Sequence, residues 1–452
     1  MTYGPVVRPA ADPIRAFTPE RRTIRGTAVS DTLAPAWARG PLRPFRFRQY
    51  RCLAASITFE LAAAGVWLIA LVWQVIELRG GPGNLSFVAS GTALGLVLTV
   101  LVGGVAADRI PQRRVMVAVT VVRVAVTAVV SALALAGLVT FWHLALAGLV
   151  LGLASGFYFP AYSAILPSVV DADDLLAANG MEGVLRPVMM NAAGPALASL
   201  VVAAWSPAWA FVLVLALEVG CLLTILLLHP VPLRRDLVAD DTHPVRAAAA
   251  DLVIGFRYMV STPWLLATLL FASAMVLVVI GPLEVLVPFV IKDQAGGDAT
   301  DHAWVLAAFG LGGAAASLLM ASIRMPRRYL TIMVAMWGAA CLPMAVVGFA
   351  TSVPLIAAAL LITGALFSAP TVIWGTLLQR RVPAELLGRV SSLDFFVSLA
   401  FMPVSMALAG AVGELIGLKA TFLVAGVAPI FLAVAAIALA RMPVDEIDHP
   451  LG

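Results

Sequence analysis

Six ionisable residues interrupt stretches that are otherwise apolar: Glu60, Arg123, Arg186, Glu218, Glu284 and Asp394. A charge in the middle of a hydrocarbon-like medium costs at least about 2.5–3.5 kcal/mol, so each needs a partner or a task. A carboxyl group withdrawn from water favours its neutral form, which suits it to taking up and releasing protons or to holding a cation. Arg186 can tune such an acid, can hold an anionic group, or can simply pair with Glu182 one turn earlier. Pro282 and Pro288 flank Glu284 and predict a broken or kinked helix there. Tyr158, Phe159, Tyr162 and Trp374 are the aromatics that can form a stacking wall for an apolar or aromatic compound, although ordinary packing uses the same side chains.

Other chemistry finds no support in the sequence. Cys52, Cys221 and Cys341 are far apart and without metal-ligand spacing, and read as small buried hydrophobes. Neither lysine, Lys292 or Lys419, lies in a phosphate-binding Gly-x-x-x-x-Gly-Lys frame, so no ATP-driven motor is expected. His-Glu-x-x-His and Gly-x-Ser-x-Gly are absent, so neither hydrolase signature is present. Gly310 to Ala315 imitates a dinucleotide loop but follows no strand. No enzyme, cofactor or metal is expected.

The elements that must position these residues are membrane helices. The chain is 62% hydrophobic and 12% charged, about half the charge of a soluble domain. Its mean hydropathy is +1.00. Apolar segments fall near 52–77, 84–107, 115–139, 142–168, 180–204, 207–229, 264–291, 302–323, 329–350, 353–378, 388–413 and 419–441. Each is long enough to cross about 30 Å of hydrocarbon as a helix. The widest break, 230–263, divides six spans from six; within it Val245 to Val260 predicts a surface amphipathic helix with Arg246, Asp251 and Arg257 on the wet side. The expected organisation is therefore an Arg-rich disordered tail over 1–50, a six-helix bundle over 51–229, a central loop over 230–263, a second bundle over 264–441, and a tail over 442–452.

Orientation follows from the basic residues. With the N-terminus inside, 24 of the 29 lie in the tail, inner loops and C-terminus, against Arg79, Lys292 and Lys419 outside. Both termini are expected in the cytoplasm. This bias accounts for a pI near 9.2 without nucleic-acid binding. Trp142, Trp205, Trp209 and Trp304 fall at outer span ends, where interfacial aromatics belong.

The halves repeat. Pro160 to Pro167 in the fourth span is answered by Pro370 to Leu378 in the tenth, and each precedes an acidic-Leu-Leu string, Asp174-Leu175-Leu176 and Glu385-Leu386-Leu387. Such half-to-half repeats accompany carriers with a site at the repeat interface. Gly103-Gly104-Val105-Ala106-Ala107-Asp108-Arg109-Ile110-Pro111-Gln112-Arg113-Arg114 joins the second and third spans. It resembles the loop signature of the major facilitator superfamily, with Pro111-Gln112 in place of the usual Gly and basic residue. The strings Ala64 to Val75, Asn179 to Pro187, and Gln379-Arg380-Arg381-Val382-Pro383 before Gly388-Arg389-Val390 are similar to the branch of drug:proton antiporters and the enterobactin exporter. Gly194-Pro195 resembles that branch's antiporter motif in the fifth helix, with Ala198-Ser199 where a Gly pair is common; as residue types they equally make a plain helix kink.

The resemblance implies an all-α membrane protein of twelve transmembrane helices in two pseudo-symmetric six-helix bundles, the major facilitator fold. In that fold the first, fourth, seventh and tenth helices line the cavity. Glu60 and Glu284 then become the leading acids for proton coupling or cation binding, with Arg186 and Asp394 next. Arg123 and Glu218, on supporting helices, are expected to be structural. Gly104, Asp108, Arg109, Arg113 and Arg114 are expected to form a gating latch. The implied function is proton-coupled export of a small hydrophobic or amphipathic compound from the cell membrane by a monomer. A proton-coupled importer and a non-transporting receptor or assembly protein are the alternatives.

Overall fold

The computed structural model describes residues 42–171, 174–230, 244–322 and 325–451. The 1–50 tail therefore lies outside the described residues as far as position 41. Twelve helices are long and apolar enough to cross a membrane, and among the described residues there is no strand. Spans 1 to 6 are Arg48–Glu77, Pro82–Val100, Gln112–Leu135, Phe141–Ser168, Met181–Ala204 and Pro207–Leu226. Spans 7 to 12 are Pro263–Gln294, Ala299–Met320, Tyr329–Val347, Val353–Leu378, Leu393–Ile416 and Leu418–Leu439.

Span ends follow local residue chemistry. Span 3 stops at Leu135 rather than 139, because Gly137 takes φ +71° in the turn that follows. Prolines interrupt the hydrogen-bond ladder, since each removes an N–H donor. In span 5, Pro187 and Pro195 flank a π-helical turn, Met189–Ala193. In span 7 the predicted disturbance around Glu284 is a π-helical turn at Pro282–Leu286, followed by a second at Val290–Gln294. Trp142, Trp205, Trp209 and Trp304 are all exposed, as side chains at a headgroup boundary should be.

The halves are built alike, and small residues are the reason. Span 2 packs closely on span 4: a Cβ added at Gly91 would lie 2.7 Å from Ala145 O, and one at Gly148 2.6 Å from Thr92 Oγ1. In the second half Gly312 and Gly364 bring spans 8 and 10 together against the backbones of Leu361 and Phe309. Two apolar helices in lipid gain little by hiding from solvent, so backbone approach at small residues decides which pairs form. Across the halves, span 2 meets span 11 and span 5 meets span 8. The Gly410 N–H donates to Ser86 Oγ at 2.7 Å, beside a direct approach of Gly410 to Gly83.

Two segments outside the spans are ordered helices. Pro244–Ser261 forms the expected surface helix, packed on the Arg-rich ends of spans 7 and 11. Val253, Phe256 and Val260 on it are exposed. The side chains of Arg246 and Asp251 lie outside the described set. The C-terminal segment, expected as a tail, is a docked helix, Met442–Asp448. Its Glu446 accepts the Thr331 N–H at 2.7 Å and the Thr331 hydroxyl at 2.9 Å, and Asp445 pairs with Arg381.

Candidate functional site

The buried acids of the two halves have different surroundings. In the first half Glu60 of span 1 is 1% exposed and accepts the Arg123 Nη1 at 2.8 Å. Arg123 of span 3 also reaches Glu218 of span 6, Nη2 to Oε1 at 2.7 Å. The sequence placed Arg123 and Glu218 apart from Glu60 as structural residues; the structure joins all three in one buried cluster. Glu60 therefore turns into the first bundle, toward the buried Arg123, and not into a cavity shared with Glu284. Two carboxylates face one guanidinium there, and Glu60 Oε2 and Glu218 Oε2 have no hydrogen-bond partner among the described residues.

Tyr158 closes the Arg-rich side of this cluster. Its hydroxyl lies 3.5 Å from Ser56 Oγ and 3.6 Å from Cys221 Sγ, and its ring centroid lies 5.8 Å from the Arg123 guanidinium carbon. Tyr158 and Tyr162 are 0% and 2% exposed. The expected stacking wall does not include them: both are consumed by packing of the first bundle, as aromatics in a tight interior are. Phe159 is the neighbour that faces outward enough to receive Arg186, whose guanidinium lies 4.7 Å over its ring. Arg186 also bonds Glu182 at 2.8 Å, the one-turn pairing, and stays half-exposed.

In the second half the acids within the spans, Glu284 and Asp394, have no ion-pair partner among the described residues. Glu284 sits half-buried in the π-turn of span 7 and has no hydrogen bond or ion pair among the described residues. Asp394 of span 11 accepts Trp374 Nε1 at 2.9 Å and Ser398 Oγ at 3.3 Å. Two candidates are thus brought together, Trp374 from span 10 and Asp394. Trp374 meets Trp264 and Trp337 edge to face at 6.1 and 6.3 Å, and Arg381 lies 4.7 Å over Trp264. This tryptophan cluster was not legible in the sequence, because its members are spread over more than a hundred residues.

Gly194 and Pro195 do pack as a unit. A Cβ at Gly194 would lie 2.8 Å from Ala62 O, and a Cβ at Gly65 2.8 Å from Pro195 Cδ. The motif sets the contact of span 5 with span 1, directly after the π-turn. Of the predicted latch, the side chains of Gly104, Asp108 and Arg109 lie outside the described set. Arg113 donates to Leu226 O at 2.9 Å, and Arg114 is exposed. Arg113 thereby ties this loop to span 6 of its own half.

Two cavities among the described residues are lined by neither Glu60 nor Glu284. One of about 590 Å³ lies among Tyr258, Trp264, Arg380, Arg381, Asp445 and His449 at the Arg-rich end. The other, about 450 Å³ and apolar, opens between spans 2, 4 and 11 at Phe87, Leu94, Trp142 and Val404.

Comparison with known proteins agrees with the architecture. The chain is similar to the multidrug efflux pump Tap of Mycolicibacterium fortuitum, 28% identical over 399 residues, covering 84% of this chain and 93% of that one. It is 26% identical over 413 residues to the multidrug efflux pump Tap of Mycobacterium tuberculosis, with 86% and 94% covered. Among solved structures it superposes on the nucleoside transporter NupG with a TM-score of 0.66 at 10% identity, covering 87% of this chain and 99% of that one. A POT family transporter in complex with a thioalcohol-conjugated peptide gives 0.66 at 13% identity, with 87% and 96% covered. These structures establish the major facilitator fold and nothing finer. A family model described as transmembrane secretion effector matches residues 39–450, and the chain belongs to that family of major facilitator membrane transporters.

Proposed function

We propose that the protein exports a small hydrophobic or amphipathic compound across the cell membrane by alternating access, driven by proton entry. The observation that carries the proton part is the Glu60–Arg123–Glu218 cluster. With both acids ionised it would hold one uncompensated negative charge in an interior that tolerates none cheaply. One bound proton removes that charge, so the cluster is a one-proton store that conformational change can load and empty. The export direction rests on the relatives named as multidrug efflux pumps.

The positive bias of the loops supports cytoplasmic termini, which puts the Gly83–Gly410 contact at the outer end. Glu284, Asp394 and Trp374 are the second-half residues assigned to the compound, and Arg186 with Phe159 to its rim. Rocking of the halves about the span 2–11 and 5–8 contacts exposes them to one side and then the other. The protein works as a monomer and without ATP in this scheme.

Proteoliposomes holding ethidium or the neutral dye Nile red test the proposal. An imposed pH gradient should drive ethidium against its own gradient with wild-type protein, and Glu60→Gln should abolish that movement while downhill equilibration persists. Wild-type protein that moves neither dye against a gradient refutes proton-driven export of such compounds.

A further inference from the structure

The face of span 1 that carries Glu60 continues toward the outer end through Trp67 and Gln74. An α-helix returns nearly to the same face every seven residues and advances about 10.5 Å in doing so. All three side chains are buried, at 1%, 8% and 4% exposure. Each nevertheless presents an atom with no hydrogen-bond partner among the described residues: Glu60 Oε2, Trp67 Nε1 and Gln74 Oε1. Gln74 Nε2 donates to Glu77 at 3.3 Å, and Glu77 is exposed at the end of the helix.

Span 3 contributes a polar face of its own. Thr120, Arg123, Thr127 and Ser131 recur at helical spacing and are all buried. Thr127 and Ser131 donate their hydroxyls to Arg123 O and Thr127 O, at 2.8 and 2.7 Å, which leaves their oxygen lone pairs free. Span 6 adds the unpartnered Glu218 Oε2. Buried polar atoms are almost always satisfied, and waters that touch two to four of them are the usual means.

We infer that spans 1, 3 and 6 enclose a file of ordered waters that conducts protons from Glu77 at the outer end to the Glu60–Arg123–Glu218 cluster, apart from the path of the exported compound. The inference rests on the cluster being the proton store. A proton entering at Glu77 displaces one along the file, each water accepting on one side and donating on the other. The last water protonates a free carboxylate oxygen of Glu60 or Glu218. The cluster passes from one net negative charge to neutral, and Arg123 keeps its proton. Tyr158, Ser56 and Cys221 close the file on the inner side, so protons entering from outside stop at the cluster.

Infrared spectroscopy of the protein in lipid tests the file without any transported compound. A protonated-carboxyl band that vanishes in Glu60→Gln or Glu218→Gln reports the stored proton, and its shift in D2O reports access. Wild-type exchange should be fast. Trp67→Phe with Gln74→Leu should slow it about tenfold or more, with the band retained. Thr127→Val, nearly isosteric, should slow it by itself and guards against misfolding of the double variant. Exchange at the wild-type rate in both variants overturns the file, and so does the absence of any such band in wild-type protein. Slow exchange in the variants, with no gradient-driven export by wild-type protein, retains the file and removes the export proposal instead.

Discussion

The two six-helix halves share a packing plan but treat buried acids in opposite ways. In the first half Arg123 sits between Glu60 and Glu218, and all three side chains are buried. In the second half Glu284 has no partner among the described residues, and Asp394 is held by the neutral donors of Trp374 and Ser398. A buried cluster with a permanent counter-charge suits storage of a small cation such as a proton. Acids without a counter-charge suit a positive group that arrives from elsewhere and leaves again. The two bundles thus differ in what surrounds their buried acids.

Removing the counter-charge should break this contrast most severely. Arg123→Gln leaves two buried acids unpaired, and loss of one partner from a buried ion pair costs about 3–5 kcal/mol. The thermal midpoint in detergent should fall sharply, and Glu218→Gln added to it should recover part of the loss. An unchanged midpoint would mean that the Glu60–Arg123–Glu218 pairing does not hold the first bundle together. No residue of the second half should show an effect of this size.

Exchanging the acids sharpens the contrast. Glu284→Gln should leave the thermal midpoint unchanged or raised, because it removes a charge that lacks a partner. A hydrogen bond to a charged group is worth about 1.5–3 kcal/mol, so ethidium binding should weaken roughly tenfold to a hundredfold, while Nile red binding holds. Equal losses for both dyes would deny Glu284 a role in recognising charge.

Trp374→Phe removes the stronger of two donors to Asp394 and keeps the ring. With Ser398 still in place, a cost of about 1–2 kcal/mol is expected in thermal unfolding. Double-mutant analysis with Asp394→Asn should show that most of it disappears once the acid is neutral. The smallest effect belongs to the docked C-terminal helix. Asp445 is partly exposed, and asparagine keeps a carbonyl that can accept from the buried Arg381, so Asp445→Asn should cost about 1 kcal/mol. Amide exchange over Met442–Asp448 should quicken while both buried acid sites stay protected.

Much of the molecule follows from composition and local chemistry. The twelve spans are legible because about twenty apolar residues in a row have no other stable arrangement in a bilayer. The π-turns around Glu284 and before Gly194-Pro195 follow from prolines that cannot complete a helical ladder. The helix at Pro244–Ser261 follows from the mixed polar and apolar pattern of the break between the halves. The close pairing of span 2 with span 4 is written in glycines spaced by four.

What the sequence left open was which way each helix faces. A helix in water announces its buried side by an apolar stripe, but one in lipid is apolar all round, since hydrocarbon outside and side chains inside are alike. Depth along a span was therefore readable and azimuth was not. Glu60, Arg123 and Glu218 stood at compatible depths without any mark that they meet, and Tyr158 showed no sign of being turned inward. The seven-residue recurrence of Glu60, Trp67 and Gln74 was visible, yet its meaning depends on burial. Only the packing of spans 1, 3 and 6 brings two acids onto one arginine, because charge pairing in an apolar interior is settled by contact and not by order along the chain.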